Sequence, residues 1–190
     1  MQRKRFEYWQ SVQGILAKDL IFIDEAGVNL AMTRLFARAP KGQRARGKRP
    51  NKRGQNVSMI GAISLTGIVT QLPILGALDG ITFEAFIAQQ LVPNLWKGAC
   101  VILDNCTVHL GKDVEALIKA AGARLIYLPP YSPDFSPIEN CWSKIKTRLR
   151  AIGARTYSDL KDAIDIAFDE VSLEDLLGWF THCCYCTSPD

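Results

Sequence analysis

The chain has 190 residues, of which 48% are hydrophobic and 22% charged, a balance typical of a single globular domain with a sizeable core. It contains no apolar run of the roughly 18 residues that a membrane-spanning helix needs, and no apolar segment follows its basic start, which excludes a secretory signal. We therefore expect a cytoplasmic protein that has no membrane partner.

The first part of the chain predicts one buried strand and a mobile basic loop. Residues 1–18 have a weakly amphipathic pattern, which predicts a lead-in helix. Residues 20–23 are a continuous apolar run that ends in Asp24, the pattern of a strand buried on both faces. Residues 28–40 predict a turn and a short edge strand, and the glycines and the proline of residues 41–54 predict a mobile loop.

The rest of the chain predicts four more strands and five helices. Two apolar, β-branched runs flank Thr66 and Gly67, which predicts a hairpin, and Thr82 is the predicted N-cap of the next helix. The predicted strands are residues 57–65, 68–75, 100–103 and 124–128, and the predicted helices are residues 82–95, 112–121, 137–151, 156–167 and 173–180. This order predicts an α/β fold with a mixed five-stranded sheet flanked by helices. We assign residues 19–190 to that single domain.

The net charge of +4 is concentrated in one loop, since residues 41–53 hold seven basic side chains and no acidic one. Without these seven charges the rest of the chain is near −3. Such a local excess favours contact with a polyanion, although a run of merely solvated charges is the alternative. The seven candidates are Lys41, Arg44, Arg46, Lys48, Arg49, Lys52 and Arg53, and the helix over residues 137–151 adds Lys144, Lys146, Arg148 and Arg150.

Two aspartates each follow a buried apolar strand directly. Asp24 comes after residues 20–23, and Asp104 comes after residues 100–103. If these strands are parallel neighbours, their carboxyl ends meet at one edge of the sheet, and the two side chains lie a few ångströms apart. Two carboxylates that close repel each other, so they must share a proton or bind a cation.

A third carboxylate follows a stiff segment, since residues 129–137 contain four prolines and lead to Glu139. One interpretation is structural, with Ser136 as N-cap, Pro137 at the first helical position and Glu139 completing a capping box. The other is functional, with the rigid loop fixing where the helix begins and so aiming Glu139 at the two aspartates. Hard oxygen ligands without a histidine pair favour Mg²⁺ or Mn²⁺, and three carboxylates suffice for two such ions about 3.5–4 Å apart.

The motifs around these three carboxylates resemble those of a known family. They are Ile23-Asp24-Glu25, Leu103-Asp104-Asn105 with His109 downstream, and the proline-rich run from Tyr127 to Trp142 that includes Pro137-Ile138-Glu139. With 34 residues between Asp104 and Glu139, the pattern resembles the catalytic core of mariner-type DDE transposases. More narrowly, it is similar to the related bacterial insertion-sequence enzymes. The resemblance spans roughly residues 15–185.

This resemblance implies a ribonuclease H-like fold, two divalent ions (Mg²⁺ or Mn²⁺), and cleavage and strand transfer of DNA ends. It implies that Asp24, Asp104 and Glu139 bind the metal and carry catalysis, with transposon ends and target DNA as partners. Such enzymes usually begin with helix-turn-helix modules, whereas only 23 residues precede Asp24 here. We therefore expect a separate helix-turn-helix polypeptide or a truncated copy, and a homodimer is a further expected partner. An inactive DNA-binding remnant and a simple metal-dependent nuclease of the same fold stay open as alternatives.

Several other residues keep two interpretations each. His109 is either a satisfied histidine at a helix entry or a contact to DNA or to a metal-bound water. Asn105 and Asn140 also have two interpretations. In one, their side chains hydrogen-bond to the metal ligands or to phosphate and orient them without binding the metal. In the other, they are solvated surface residues. Residues 182–186 read His-Cys-Cys-Tyr-Cys, which hints at a metal site, but they lack a second ligand pair at zinc-finger spacing. An incidental group of reduced cysteines is the favoured interpretation.

Overall fold

The computed structural model describes residues 2–187. Met1 and residues 188–190, which belong to the predicted lead-in helix and domain, lie outside the described residues. Its strands are β1 (Leu20–Val28), β2 (Val57–Ser64), β3 (Gly67–Leu75), β4 (Cys100–Leu103) and β5 (Arg124–Tyr127). They form one sheet in the order β3-β2-β1-β4-β5. The prediction of a mixed five-stranded sheet is therefore confirmed.

The sheet combines an antiparallel hairpin with a parallel half. β2 pairs antiparallel with both β1 and β3, whereas β4 pairs parallel with both β1 and β5. The predicted hairpin is present, and its two turn residues are Leu65 and Thr66, with Gly67 at φ 150° as the first residue of β3. The helical connections on either side of β4 are what allow parallel pairing there, because a tight turn cannot join parallel strands.

Two predictions were wrong: where the first strand ends, and that residues 28–40 contain a short edge strand. β1 continues for four residues beyond Asp24, because the segment from Glu25 to Val28 pairs with β2 after the parallel partner β4 has ended. No edge strand occurs between residues 29 and 40. Instead, residues 29–56 form one long connection of turns and irregular backbone, and the basic loop lies within it, exposed to solvent.

Six α-helices flank the sheet in the described part of the chain: α1 (Gln2–Val12), α2 (Gly80–Phe86), α3 (Lys112–Ala120), α4 (Pro137–Ile152), α5 (Tyr157–Asp169) and α6 (Leu173–His182). α2 begins earlier than predicted, because Asp79 and not Thr82 is its N-cap, and the Asp79 carboxylate accepts a hydrogen bond from the Thr82 amide at 2.8 Å. Beyond α2 the chain continues through one wide helical turn over Ile87–Leu91. None of the helices described is long and apolar enough to cross a membrane.

The sheet separates two hydrophobic cores. Alternating side chains of the strands serve both, so that Phe22 and Ile102 enter the larger core while Ile21 and Val101 enter the smaller one. The larger core is covered by α1, α4, α5 and α6, and the smaller by α2 and α3. The predicted lead-in helix is thus part of the main core, since Tyr8 is 4% exposed within it.

The cysteine-rich segment after α6 serves packing. Cys183 is buried, and the ring of Tyr185 lies 4.9 Å from that of Phe22. The Tyr185 hydroxyl donates a hydrogen bond to the Phe135 carbonyl at 2.7 Å. Within residues 2–187, no group of three histidine, cysteine or acidic side chains is arranged to hold a metal ion, at this segment or elsewhere.

Candidate active site

Three carboxylates from separate elements line one cavity of about 540 Å³. Asp24 lies in β1, Asp104 directly follows β4, and Glu139 lies in the first turn of α4. The parallel register pairs Phe22 with Ile102, so the two aspartates, each two residues further on, lie level at the same edge of the sheet. The proline-rich segment, residues 128–136, forms another wall of this cavity, chiefly through the residues from Pro129 to Pro133.

Glu139 is not part of a capping box. Ser136 is the N-cap residue of α4, but its side chain makes no capping hydrogen bond, and Pro137 takes the first helical position. At the backbone, the Glu139 amide donates to the Ser136 carbonyl at 3.1 Å. The Glu139 side chain is exposed and lines the cavity from the first turn of α4.

Asp24 is held by an indole. The Trp142 Nε1 group, on the buried stripe of α4, donates a hydrogen bond to Asp24 Oδ2 at 2.9 Å. Gly61 lies opposite Asp24 in β2, and a Cβ atom there would come within 2.8 Å of the Trp142 ring. The absence of a side chain at Gly61 thus makes room for the ring that orients Asp24.

The surroundings of Asp24 oppose its negative charge. Burial raises the pKa of Asp24 to about 7, and the charges of Glu25 and Glu139 add to this rise. Hydrogen bonds from the Glu25 amide and from the Trp142 indole oppose it. An acidic group in such a place is stabilised by any cation that enters the cavity.

Asp104 is tied to a buried histidine. One oxygen of Asp104 accepts bonds from the Cys106 amide at 2.9 Å and from His109 Nδ1 at 2.6 Å. The other ring nitrogen, His109 Nε2, bonds to Glu25 Oε2 at 2.8 Å. His109 has no exposed surface, and its ring lies 4.4 Å from that of Phe83.

His109 acts as a positive bridge between two carboxylates. Burial alone lowers the pKa of His109, but hydrogen bonds and charges from Asp104 and Glu25 outweigh it and raise the pKa to about 10. The protonated ring in turn lowers the pKa of Asp104. Because both ring nitrogens are occupied, neither is free to contact DNA or a water molecule in the cavity. The geometry is that of a satisfied histidine at a helix entry, and its bond to Glu25 was missed by sequence reasoning.

Two further anchors hold the proline-rich segment. The Asn105 side-chain amide donates to the Leu128 carbonyl, which ties the end of β4 to the start of the segment. From α1, the Arg5 guanidinium donates to Ser132 Oγ at 3.0 Å and to both Asp134 oxygens at 3.0 and 2.5 Å. It also lies 3.8 Å from the centre of the Phe135 ring. Asn140 is half-buried near the start of α4.

The candidate DNA-contact residues fall into two groups. All seven basic side chains of residues 41–53 are exposed, and three of them, Arg46, Lys48 and Arg49, line a groove of about 740 Å³ together with Arg150. On α4 the situation differs, because two of the named residues are engaged in ion pairs within the chain. Lys144 pairs with Asp175, and Arg148 pairs with Glu170 at 2.7 Å.

The donor set fits a hard divalent cation that keeps part of its water shell. The charged groups that line the cavity are the three carboxylates, and both ring nitrogens of His109 are engaged elsewhere. The three carboxylates line the cavity without converging into a closed cage, and no such cage occurs elsewhere within residues 2–187. Mg²⁺ does not require such a cage, because it takes one or two carboxylates and completes its shell with water and substrate phosphate.

The fold and these carboxylates define a ribonuclease H-like domain with an acidic site where the parallel pairing of β1 with β4 ends. The family model described as DDE superfamily endonuclease matches residues 19–162, which is more than half of the chain. The chain therefore belongs to the DDE superfamily endonucleases.

Individual transposases are similar to this chain in sequence or in fold. The transposase of the transposable element Tcb1 from Caenorhabditis briggsae is 23% identical over 124 residues, which cover 63% of this chain and 45% of that protein. A Mos1 mariner paired-end complex with Mn has a TM-score of 0.76 at 14% identity, covering 97% of this chain and 58% of that chain. The catalytic domain of Mos1 mariner transposase has a TM-score of 0.67 at 11% identity, covering 96% and 85%.

These matches confirm the resemblance to mariner-type DDE transposases and the ribonuclease H-like fold. The structural likeness, at these identities, concerns the fold alone. The chain spans about half the length of the Tcb1 transposase and of the Mos1 chain in the paired-end complex. The narrower resemblance to bacterial insertion-sequence enzymes stays a prediction.

Proposed function

We propose that this domain is a metal-dependent polynucleotidyl transferase that cleaves DNA at transposon ends and joins the freed ends to target DNA. The observation that carries the proposal is the meeting of Asp24, Asp104 and Glu139 around one cavity, from three elements far apart along the chain. A capping role for Glu139 was the main structural alternative, and the cap that it requires is not formed.

The three carboxylates would hold two Mg²⁺ or Mn²⁺ ions. Ions of this kind, when bound, stabilise the attacking and leaving oxygens of an in-line phosphoryl displacement. Structures of the related Mos1 protein support this choice, since its catalytic domain has been solved with raltegravir and Mg, and its paired-end complex with Mn. The burial of Asp24 and the neighbouring negative charges, which together raise its pKa, support this choice from the chain itself.

The chain's other residues orient the carboxylates. Trp142 holds Oδ2 of Asp24, and His109 holds Oδ1 of Asp104, so each aspartate that lines the cavity is oriented by a buried ring. The positive charge of His109 also offsets the charge of Glu25 next to the site. No serine, cysteine or tyrosine nucleophile is needed. Water attacks the phosphodiester at the transposon end and displaces the 3′-oxygen as a free 3′-hydroxyl. That hydroxyl then attacks a target phosphodiester, bonds to its phosphorus and displaces the 3′-hydroxyl of the target strand.

The basic loop would bring DNA to this site through its phosphates. We expect the seven exposed side chains of residues 41–53 to contact phosphates, which gives affinity without sequence selectivity and a steep dependence on salt. Lys146 joins them, whereas Lys144 and Arg148 would first have to leave their ion pairs. One related structure is a Mos1 paired-end complex with a transposon end, which supports DNA ends as the partner. A separate helix-turn-helix polypeptide, a homodimer and a cytoplasmic location stay predictions from the sequence.

Nicking of a supercoiled plasmid in Mn²⁺ tests the proposal without requiring end recognition. We expect nicking by the unmodified chain, and a loss of at least about 100-fold in Asp24→Asn, Asp104→Asn and Glu139→Gln. Asp162→Asn, an exposed substitution on α5, is the matched control and should nick normally. Absence of nicking by the unmodified chain, with no effect of Asp104→Asn, would establish the DNA-binding remnant instead.

A second assay separates a transferase from a simple nuclease. A radiolabelled duplex with a pre-cut 3′-hydroxyl end is mixed with plasmid, and joined products are measured. We expect joining that depends on all three carboxylates. A chain that nicks plasmid but never joins such ends is a nuclease of the same fold.

A further inference from the structure

One exposed aromatic residue stands on the wall of the active-site cavity in an unusual backbone conformation. Tyr131 is 85% exposed and lines the same cavity as the three carboxylates. Its φ angle is 56°, and only one other non-glycine residue between residues 2 and 187 has a positive φ. This conformation is uncommon for a bulky side chain, and strained residues cluster at functional sites.

The backbone on both sides of Tyr131 is held firmly. Pro129 before it is buried, and the Leu128 amide donates to the Leu103 carbonyl at 2.8 Å. Ser132 after it is only 4% exposed and accepts a hydrogen bond from Arg5. The neighbouring residues are thus fixed, while the Tyr131 ring itself projects into solvent.

The chemistry of this position indicates which kind of molecular surface the Tyr131 ring contacts. Its hydroxyl has no hydrogen-bond partner within residues 2–187, and the cavity beside it contains the three carboxylates, where the proposed function places the reacting phosphate. What Tyr131 offers is a flat apolar face. In DNA the matching surface is the face of a nucleobase, which is open only at a duplex end, in a single strand or in a flipped nucleotide.

We propose that Tyr131 is a stacking platform for the nucleobase next to the phosphodiester that reacts. The proposal rests on the proposed function, because that function places a DNA end in the cavity. Every base has an aromatic face, so the contact positions the end without selecting its sequence. The rigid backbone limits the movement of the platform relative to the three carboxylates, so that a stacked base sets the depth at which the DNA end enters.

Fluorescence of 2-aminopurine tests this contact without any cleavage. The probe base is placed at the 3′-hydroxyl terminus of a pre-cut duplex, and protein is titrated in without target DNA. We expect the unmodified chain and Tyr131→Phe to quench the fluorescence by stacking. We expect Tyr131→Ala to lose the quenching and to bind the end about tenfold more weakly. The salt dependence of binding should stay unchanged, since no phosphate contact is removed.

Two controls guard against indirect effects. A probe base in the middle of the duplex should respond equally to all variants, because it is covered on both faces. Tyr131→Gly relieves the positive φ, so this variant should fold at least as stably as the unmodified chain and yet fail to quench.

The outcomes separate this proposal from the proposed function. Equal quenching by Tyr131→Ala and the unmodified chain, or no end binding by the unmodified chain, overturns the stacking role. If quenching depends on Tyr131 but the unmodified chain nicks no plasmid, the stacking role stands and the proposed function falls. If the chain nicks plasmid but quenching is independent of Tyr131, the function stands and the stacking role is wrong.

Discussion

Two irregular segments of this protein are built in opposite ways. The proline-rich segment, residues 128–136, borders the active-site cavity and is anchored by Arg5, by Asn105 and by the Tyr185 hydroxyl. The basic connection, residues 29–56, is anchored near its two ends, where Arg155 donates to the carbonyls of Leu30 and Met32 at 3.1 Å and the Gln55 amide donates to Tyr157. Residues 34–49 between those anchors are all exposed.

The difference matches what each segment would have to do. Positioning a carboxylate for phosphoryl transfer requires atoms that do not move, since small displacements of reacting groups cost large factors in rate. Attracting a polyanion requires charge density and not fixed geometry. Changes in the first segment should therefore affect catalysis, and changes in the second should affect binding.

The largest expected effect concerns the stability of the acidic site. In the absence of divalent cations, the raised pKa of Asp24 means that the folded state resists its ionisation. The contribution of Asp24 to the stability of the folded chain is then complete below about pH 4 and falls as the pH rises towards about 7. Asp24→Asn removes this loss, so at pH 8 we expect it to be more stable by on the order of 2–3 kcal/mol. Urea unfolding across this pH range measures the difference.

A control and a metal titration complete that experiment. Asp162→Asn, an exposed change on α5, should follow the curve of the unmodified chain. Addition of Mn²⁺ should raise the unfolding temperature of the unmodified chain and not that of Asp24→Asn. If the free energy of unfolding is the same at pH 5 and pH 8, both in the unmodified chain and in Asp24→Asn, the unfavourable ionisation assigned to Asp24 is contradicted.

The next largest effect concerns DNA affinity. We expect the triple change of Arg46, Lys48 and Arg49 to alanine to weaken duplex binding by about 10- to 100-fold at 0.1 M salt. The slope of affinity against salt should fall by about 0.9 for each phosphate contact removed. Thermal stability should be unchanged, because these side chains are exposed.

The matched control removes the same number of positive charges elsewhere. Its three exposed positions are Lys97, Lys119 and Lys161. Binding should fall far less in this variant, because its charges do not line the groove. If both triple variants weaken binding equally, general charge and not the basic loop is responsible, and the contrast between the two segments is lost.

A smaller effect is expected from loosening the proline-rich segment. Arg5→Met keeps the apolar stem but removes the bonds to Ser132 and Asp134. We expect plasmid nicking to slow by about tenfold while DNA affinity stays unchanged. Arg3→Met is the matched control on the same helix, since Arg3 pairs only with the nearby Glu7 and is exposed. A loss of binding in Arg5→Met, with normal nicking at saturating DNA, would contradict a positioning role.

The smallest effect is expected at the indole behind Asp24. Trp142→Phe keeps the buried ring but removes the donor to Asp24 Oδ2. We expect the rate of nicking to fall by about fivefold and the Mn²⁺ concentration for half-maximal activity to rise. Trp179→Phe on α6 is a matched control away from the cavity. An unchanged Mn²⁺ requirement in Trp142→Phe would mean that the hydrogen bond does not orient the carboxylate.

Local sequence patterns predicted the sheet and the three carboxylates. The apolar runs before Asp24 and Asp104 located two parallel strands, and the prolines located the start of α4. Local patterns were less reliable where two residues compete for one role. Asp79, and not the predicted Thr82, is the N-cap of α2. β1 continues past Asp24 because its last four residues pair with β2, and the local sequence gives no sign of that pairing.

The interactions that orient the site were beyond sequence reasoning. His109 and Glu25 are 84 residues apart, Trp142 and Asp24 are 118 apart, and Arg5 and Asp134 are 129 apart. No sequence period or motif spacing links the two residues of any of these pairs, because each pair forms only when the sheet brings distant elements together. Gly61 is the one position where the sequence offers a weak signal, because a glycine inside a buried strand often marks the close approach of another group.

The position of α1 has a practical consequence for anyone who trims this protein. The family match begins at residue 19, so a fragment cut to that boundary would discard α1. Such a fragment would uncover the aromatic surface of Phe135 and Tyr185 that Tyr8 and Trp9 now shield. We expect this fragment to aggregate on purification. In molecules that stay folded, the proline-rich segment would lack its hydrogen bonds from Arg5.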